Sequence, residues 1–407
     1  MKLRTRLATV IPSTVAIIAL AACGGGGDDG DTGAANGGDK TPIKIGIIAD
    51  LTGATGDVGT PYNKGMMGYI DDVNAKGGIS GHKIEAMSND YAYKVPAAEE
   101  LYKKYVNDGA VAIQGWGTGD TEAMRSKISA DKLPFMSASY AEPLTDPKES
   151  PYNFVAAPTY SDQMRVALNW IAEDAGGHAE VAVFHHDSPF GTAPVADGQA
   201  WVSEKGLDIG YKSYPMPATP NQVGLLTQAK AQGAKYIVIQ NVSSPAAQVA
   251  KDIKGQGLDM KIVCLNWCAD ELFITTAGAD NAEGHVLVSP IAPATATKPG
   301  HEAIETYLKS KGSSLEKETL HYAQGWYTMH VMAKGIEKAI ADAGEELTGE
   351  AIKAALETMP AVDTGGVMGS GEVKFTADSH RGNTGTGIYE VKAGQMVELA
   401  ANQTPES

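Results

Sequence analysis

Ile43-Lys44-Ile45-Gly46-Ile47-Ile48-Ala49-Asp50 is the stretch that decides the fold. It is apolar, β-branched and closed by an acid, so it reads as a buried strand. Thr60-Pro61 then opens a helix, with Thr as N-cap and Pro at the first helical position. Tyr62, Met66, Tyr69, Ile70 and Val73 form its apolar stripe, and Gly77-Gly78 ends it. Strands over 82–90, 110–114 and 133–137 alternate with helices over 95–107 and 120–131. Such alternation implies right-handed crossovers and a mostly parallel sheet.

Toward the carboxyl end the pattern restarts near Pro158. Helices over 161–174, 193–205, 222–232 and 246–256 alternate with strands over 180–184, 207–214, 235–240 and 261–265. After a strand at 285–289, helices dominate at 300–310, 319–342 and 348–358. They need a sheet to cover, and the first sheet is short of helices. The expected division is therefore a first lobe of 42–157 plus 287–370, and a second of 158–286 plus 371–400. The fold class is α/β.

Toward the amino end, Lys2, Arg4 and Arg6 precede an apolar run to Ala22. This describes an export signal over residues 1–22. Leu20-Ala21-Ala22-Cys23 resembles a bacterial lipoprotein junction, which would make Cys23 a lipidated first residue. An ordinary secretion signal is the alternative. Residues 24–40 carry eight glycines, four aspartates and no large apolar side chain. Such a chain cannot offset its ordering entropy, so 23–41 reads as a flexible tether. The expected location is extracytoplasmic, touching the membrane through the lipid anchor alone.

The chain carries 33 basic and 49 acidic residues, a net charge of −16 without a basic cluster, which argues against nucleic acid. Cys264 and Cys268 either bridge on a turn or remain semi-buried thiols. His185-His186 would point to opposite faces of a strand, so metal is not expected. No Gly-x-x-x-x-Gly-Lys-Ser/Thr, Gly-x-Ser-x-Gly or His-Glu-x-x-His occurs, so neither an enzyme nor a bound cofactor is expected.

Several segments resemble, in order, the branched-chain amino-acid family of periplasmic binding proteins. They are 43–53, Asn74-Ala75-Lys76-Gly77-Gly78-Ile79-Ser80-Gly81, Val106-Asn107-Asp108-Gly109, Pro189-Phe190-Gly191, Ala282-Glu283-Gly284, Tyr322-Ala323-Gln324-Gly325-Trp326 and Asp378-Ser379-His380-Arg381-Gly382. The resemblance implies a type I periplasmic-binding-protein fold: two doubly wound Rossmann-like lobes, joined by three crossing strands. It also implies a monomer that closes on a small ligand and delivers it to an ABC permease with its ATPase subunits.

Ligands of open α/β sheets bind beyond the carboxyl ends of the strands. That rule selects Trp116, Gly117 and Thr118, where glycines and a helix start suit a carboxylate. It also selects Ser139, Tyr140 and Ala141. The resemblance places Thr118, Ser139 and Ala141 at the ligand's carboxylate and amino groups, Ala141 departing from the usual hydroxyl residue. From the second lobe it adds Phe190, Ser243 and Trp267, and Tyr322 is expected to reach the cleft. Amino-acid binders of the family place an acid near Trp267, and none matches here. Either Asp270 or Asp187 reaches in, or the ligand lacks an ammonium group. The expected ligand is a small amphipathic carboxylate, either an aliphatic amino acid or an aromatic acid. A sensor that reports to a signalling protein, or a binder of short amides or urea, is the alternative.

Overall fold

The alternation resolves into two parallel sheets in the computed structural model, which describes residues 40–407. The expected signal, Cys23 and all but the last two tether residues lie outside the described residues. The first sheet comprises β1 (Ile43–Ala49), β2 (Ile84–Asp90), β3 (Ala112–Gly115), β4 (Phe135–Ser137) and β5 (Asn153–Phe154). Its order is β2-β1-β3-β4-β5, with every pair parallel. The second sheet repeats this permutation with β6 (Ala179–His186), β7 (Ile209–Met216), β8 (Tyr236–Gln240), β9 (Lys261–Leu265) and β10 (Val286–Ser289), ordered β7-β6-β8-β9-β10. A two-stranded ribbon follows, β11 (Val362–Asp363) with β12 (Glu372–Val373). Then β13 (Thr386–Lys392) and β14 (Gln395–Gln403) extend the second sheet, antiparallel, beyond β10. Each sheet reverses its winding beside its first strand, so each has a switch point where a crevice opens. The doubly wound α/β class expected from the sequence is thus observed.

Three segments pass between the lobes, after β5, after β10 and before β13. The first and last are tied to each other, and the second is tied to the loop between β11 and β12. Gly382 N donates to Val155 O at 2.7 Å, and Ala292 N donates to Val367 O at 2.9 Å. The last crossing lies later than residue 371, because Val373 and Phe375 are buried in the first core, Phe375 edge-on to Phe154. The strand β10 likewise belongs wholly to the second sheet.

The first helix is Gly56–Ala75, which starts before Thr60 and contains Pro61. Asp50 sets this start. Its carboxylate accepts from Gly53 N, Thr55 N and the Thr55 hydroxyl at 2.6, 2.9 and 2.7 Å. A buried carboxylate with three donors fixes the loop more firmly than a Thr60 cap could. Cys264 and Cys268 are both free and buried, so the disulfide alternative falls.

Helix Leu320–Ala343 crosses Gly56–Ala75 at backbone contact. A Cβ on Gly325 would lie 1.9 Å from Tyr62 O, and one on Gly65 would lie 1.9 Å from Tyr322 O. Gly325→Ala should therefore push the helices apart and cost about 1–3 kcal/mol, measured as a lower denaturant midpoint with unchanged slope.

Candidate functional site

Both switch points face one cavity. It is lined by Thr55, Tyr93, Trp116, Gly117, Thr118, Ala138 and Tyr160, with Phe190, Val242 and Trp267 from the second lobe. Its unfilled space amounts to about 230 Å³. Trp116 and Trp267 approach to 4.9 Å between centroids, and Tyr62 stands edge-on to both. The two indole rings thus occupy the middle of the cavity.

Among the described residues, no lysine or arginine lines the cavity. Its polar atoms are hydroxyls already ordered by their neighbours. Trp116 Nε1 donates to Thr55 Oγ1 and Trp267 Nε1 donates to the Tyr160 hydroxyl, both at 2.8 Å. Thr118 and Ser139 share a hydroxyl contact of 2.7 Å, and Ser137 Oγ accepts from Ser139 N at 2.9 Å. No side chain caps the helix Thr118–Asp131, whose first turn opens here. Asp120 lies in that turn, 2% exposed. Its Oδ1 accepts from the Tyr91 hydroxyl at 2.9 Å, while its Oδ2 has no partner. Burial pushes this carboxyl up to about 7, against the opposing Tyr91 hydroxyl and the amides of Asp120 and Gly117.

Of the residues selected from the sequence, Trp116, Gly117, Thr118, Phe190 and Trp267 line the cavity. Ser139 supports Thr118 from behind. Tyr140 lies off the lining, stacked on Trp267 at 5.8 Å and 21°, its hydroxyl accepting from Gln324. Ala141 is buried before the turn Glu142–Thr145. Ser243 turns away and donates to Trp267 O and Asp270, so Val242 takes its place. Tyr322 does not reach the cleft. Its hydroxyl fills the space beside Gly68 in the helix seam, and its ring stacks on Trp326.

Thr55, Tyr93, Ala138, Tyr160 and Val242 complete the lining without having been selected. Tyr93 follows β2, so the strand-end rule would have found it had it been applied there. Ala92 and Tyr93 hold φ of 51° and 56°, the left-handed region that non-glycine residues seldom enter. Two consecutive such residues store strain beside the cavity. Among the described residues, no group of three or more His, Cys, Asp or Glu is arranged for a metal ion.

One second-lobe turn enters the first lobe. Trp267 stacks on His321 at 5.2 Å and 26°, as it does on Tyr140. Asp270 Oδ2 lies 2.7 Å from His321 Nε2, and both side chains are fully buried. His321 Nδ1 lies 2.7 Å from Gln324 Oε1, and Gln324 donates its own N–H groups to Tyr140 and Asn266. Two acceptors thus face the two ring nitrogens, which suits a doubly protonated imidazole. Glu271 accepts from Ala294 N and Leu320 N at 2.7 and 3.0 Å. Thr319, before Leu320, is held at φ 71° and ψ 171°.

Burial alone would lower the His321 value, but the Asp270 hydrogen bond and charge, helped by Gln324, raise it. A raised value means the pair's contribution is complete below the ordinary histidine value. It drains as pH rises through the raised one. The unfolding temperature should therefore lose a component as pH rises above the ordinary histidine value, and His321→Gln should remove that component from the profile.

The sequence profile of a family described as periplasmic binding protein matches residues 42–395. The leucine-, isoleucine-, valine-, threonine- and alanine-binding protein of Pseudomonas aeruginosa is 23% identical over 316 residues, 77% of this chain and 82% of that one. The crystal structure of a branched-chain amino-acid ABC transporter protein from Thermus thermophilus with bound valine superposes with a TM-score of 0.85 at 25% identity, covering 90% of this chain and 97% of that one. An ABC transporter substrate-binding protein from Aeropyrum pernix gives 0.81 at 25% identity, covering 90% and 97%.

Proposed function

The chain belongs to the periplasmic binding protein family, and on that premise we propose that it is the substrate-binding protein of an ABC importer. Its ligand is a small amphipathic carboxylate, an aliphatic amino acid or an aromatic acid. The observation that carries this reading is the aromatic cavity at the facing switch points, with an uncapped helix start and the Thr118–Ser139 hydroxyl pair at one side. Helix-start amides and hydroxyls suit a carboxylate, and the rings suit an apolar body.

The mechanism is hinge closure about the three crossings. The first lobe takes the carboxylate, Phe190 and Trp267 cover it, and the closed form is presented to the permease. The protein does no chemistry on the guest. Cys23 anchors it outside the cytoplasmic membrane, a reading supported by the junction Leu20-Ala21-Ala22-Cys23. Binding of a short amide is the second reading, favoured by the lack of any lysine or arginine on the lining.

Calorimetry against amino acids, aromatic acids and short amides tests the proposal, which requires binding by at least one class. Thr118→Ala and Trp267→Ala should each weaken that binding by about 1–3 kcal/mol. Unchanged affinity in both rejects this cavity as the site.

A further inference from the structure

Two long helices begin at the cleft, one in each lobe. Gly56–Ala75 starts after Thr55 and Ser243–Gly255 starts after Val242, and both of these N-cap residues line the cavity. Neither makes a side-chain cap. Val242 has no acceptor on its side chain. The Thr55 hydroxyl is committed elsewhere, donating to Asp50 and accepting from Trp116 Nε1. Ser243, the first residue of its helix, turns its hydroxyl to Trp267 O and Asp270. The side chains suited to capping thus build the walls of the cavity, which leaves N–H groups of both helix starts to other acceptors.

One carboxylate serves both starts. Asp57, in the first turn of Gly56–Ala75, accepts from Val58 N with Oδ1 at 3.0 Å and from Ser244 N with Oδ2 at 2.9 Å. Val58 belongs to the helix of Asp57 itself, and Ser244 to the first turn of the helix across the cleft. A helix start carries about half a positive charge, so two starts brought together repel. An anion between them turns that repulsion into attraction at both ends. The donor from the second lobe is backbone, so the contact needs no particular side chain at position 244.

We infer that Asp57 is a positioning residue for closure: a carboxylate of the first lobe that caps a helix of the second, and so favours the closed arrangement whatever guest lies between. The inference rests on the proposed hinge mechanism. Asp57 lies outside the cavity lining, so it acts on affinity only through the equilibrium between open and closed forms. Loss of the contact therefore lowers the affinity for every guest by one common factor. A residue that touched the guest would instead discriminate between guests.

The test is calorimetry with L-leucine, L-phenylalanine, benzoate and acetamide on the wild type, Asp57→Asn, Asp57→Ala and Asp57→Lys. Each compound that binds the wild type should lose about twofold to thirtyfold in Asp57→Ala, all by the same factor. Asp57→Asn keeps an acceptor and should lose less. Asp57→Lys sets a cation against both helix starts and should lose more. Unchanged affinity in Asp57→Ala, or a loss confined to one of several binders, overturns the inference and leaves the hinge mechanism standing.

Amide exchange on the wild type makes the test independent of how the variants fold. Ser244 N–H finds Asp57 only when the lobes meet. It should exchange about twofold to thirtyfold faster in protein stripped by denaturing dialysis and refolded than in protein as purified or saturated with a compound that binds. An equal rate, while the distance between the lobes changes, overturns the role of Asp57 alone. An equal rate with no compound bound and no change in that distance brings down the hinge mechanism and this inference together.

Discussion

The insertion of one short turn, from Asn266 to Glu271, into the first lobe is the interaction on which the rest of the architecture depends. Trp267 stacks on the rings of both Tyr140 and His321, while Asp270 meets His321 in a fully buried contact. Two opposite charges without water cannot be parted cheaply, because either one left alone would bear the full cost of desolvation. The contact is therefore close to all-or-none. In the proposed hinge mechanism, it would make the closed arrangement a defined state and not one point on a continuum. Glu271 extends the same joint by collecting two backbone N–H groups beside the unusual Thr319.

The cavity follows from a duplicated topology. Two sheets of the same permutation face one another, so their switch points and carboxyl-terminal loops converge. The crossings tie the sheets at Val155–Gly382 and Ala292–Val367, away from the turn that enters the first lobe. In the proposed hinge mechanism, a rotation about these ties would withdraw Trp267 and open the rings. The small free volume is then informative. With Trp116 and Trp267 in contact, the cleft is largely filled by the protein's own aromatic surface. A guest exchanges ring–ring contact for ring–guest contact, so the net gain from burial is modest. On the proposed reading, specificity would then fall to the few polar groups, namely the Thr118–Ser139 hydroxyl pair and the helix start beside it.

Much of this was legible in the chain because strand and helix periods are local. The run 43–49 and its repeats could be read without the fold, the strand-end rule reached Trp116, Gly117 and Thr118, and the family resemblance added Phe190 and Trp267. What stayed hidden depended on long-range geometry. Tyr160 opens the helix after a crossing, and Tyr93 owes its place to two left-handed residues that no propensity favours. Tyr322 obeyed the 3.6-residue stripe and went to the helix seam, because Gly68 left room there. Ser243 and Val242 exchanged roles because adjacent residues leaving β8 point to opposite sides. The helix start moved from Thr60 to Gly56 because Asp50, a residue of the preceding strand end, fixes the loop.

The most direct test of closure on a guest is the distance between the lobes. Spin labels on the exposed Ser126 and Gln199, one on each lobe, would report it by pulsed electron resonance. Protein stripped of small molecules by denaturing dialysis and refolded should show a broad, longer distribution. The protein as purified, or the stripped protein given saturating L-leucine or L-phenylalanine, should show one narrow, shorter distance. A single distance that none of these treatments moves would mean that the rings seal the crevice permanently, and would contradict the account.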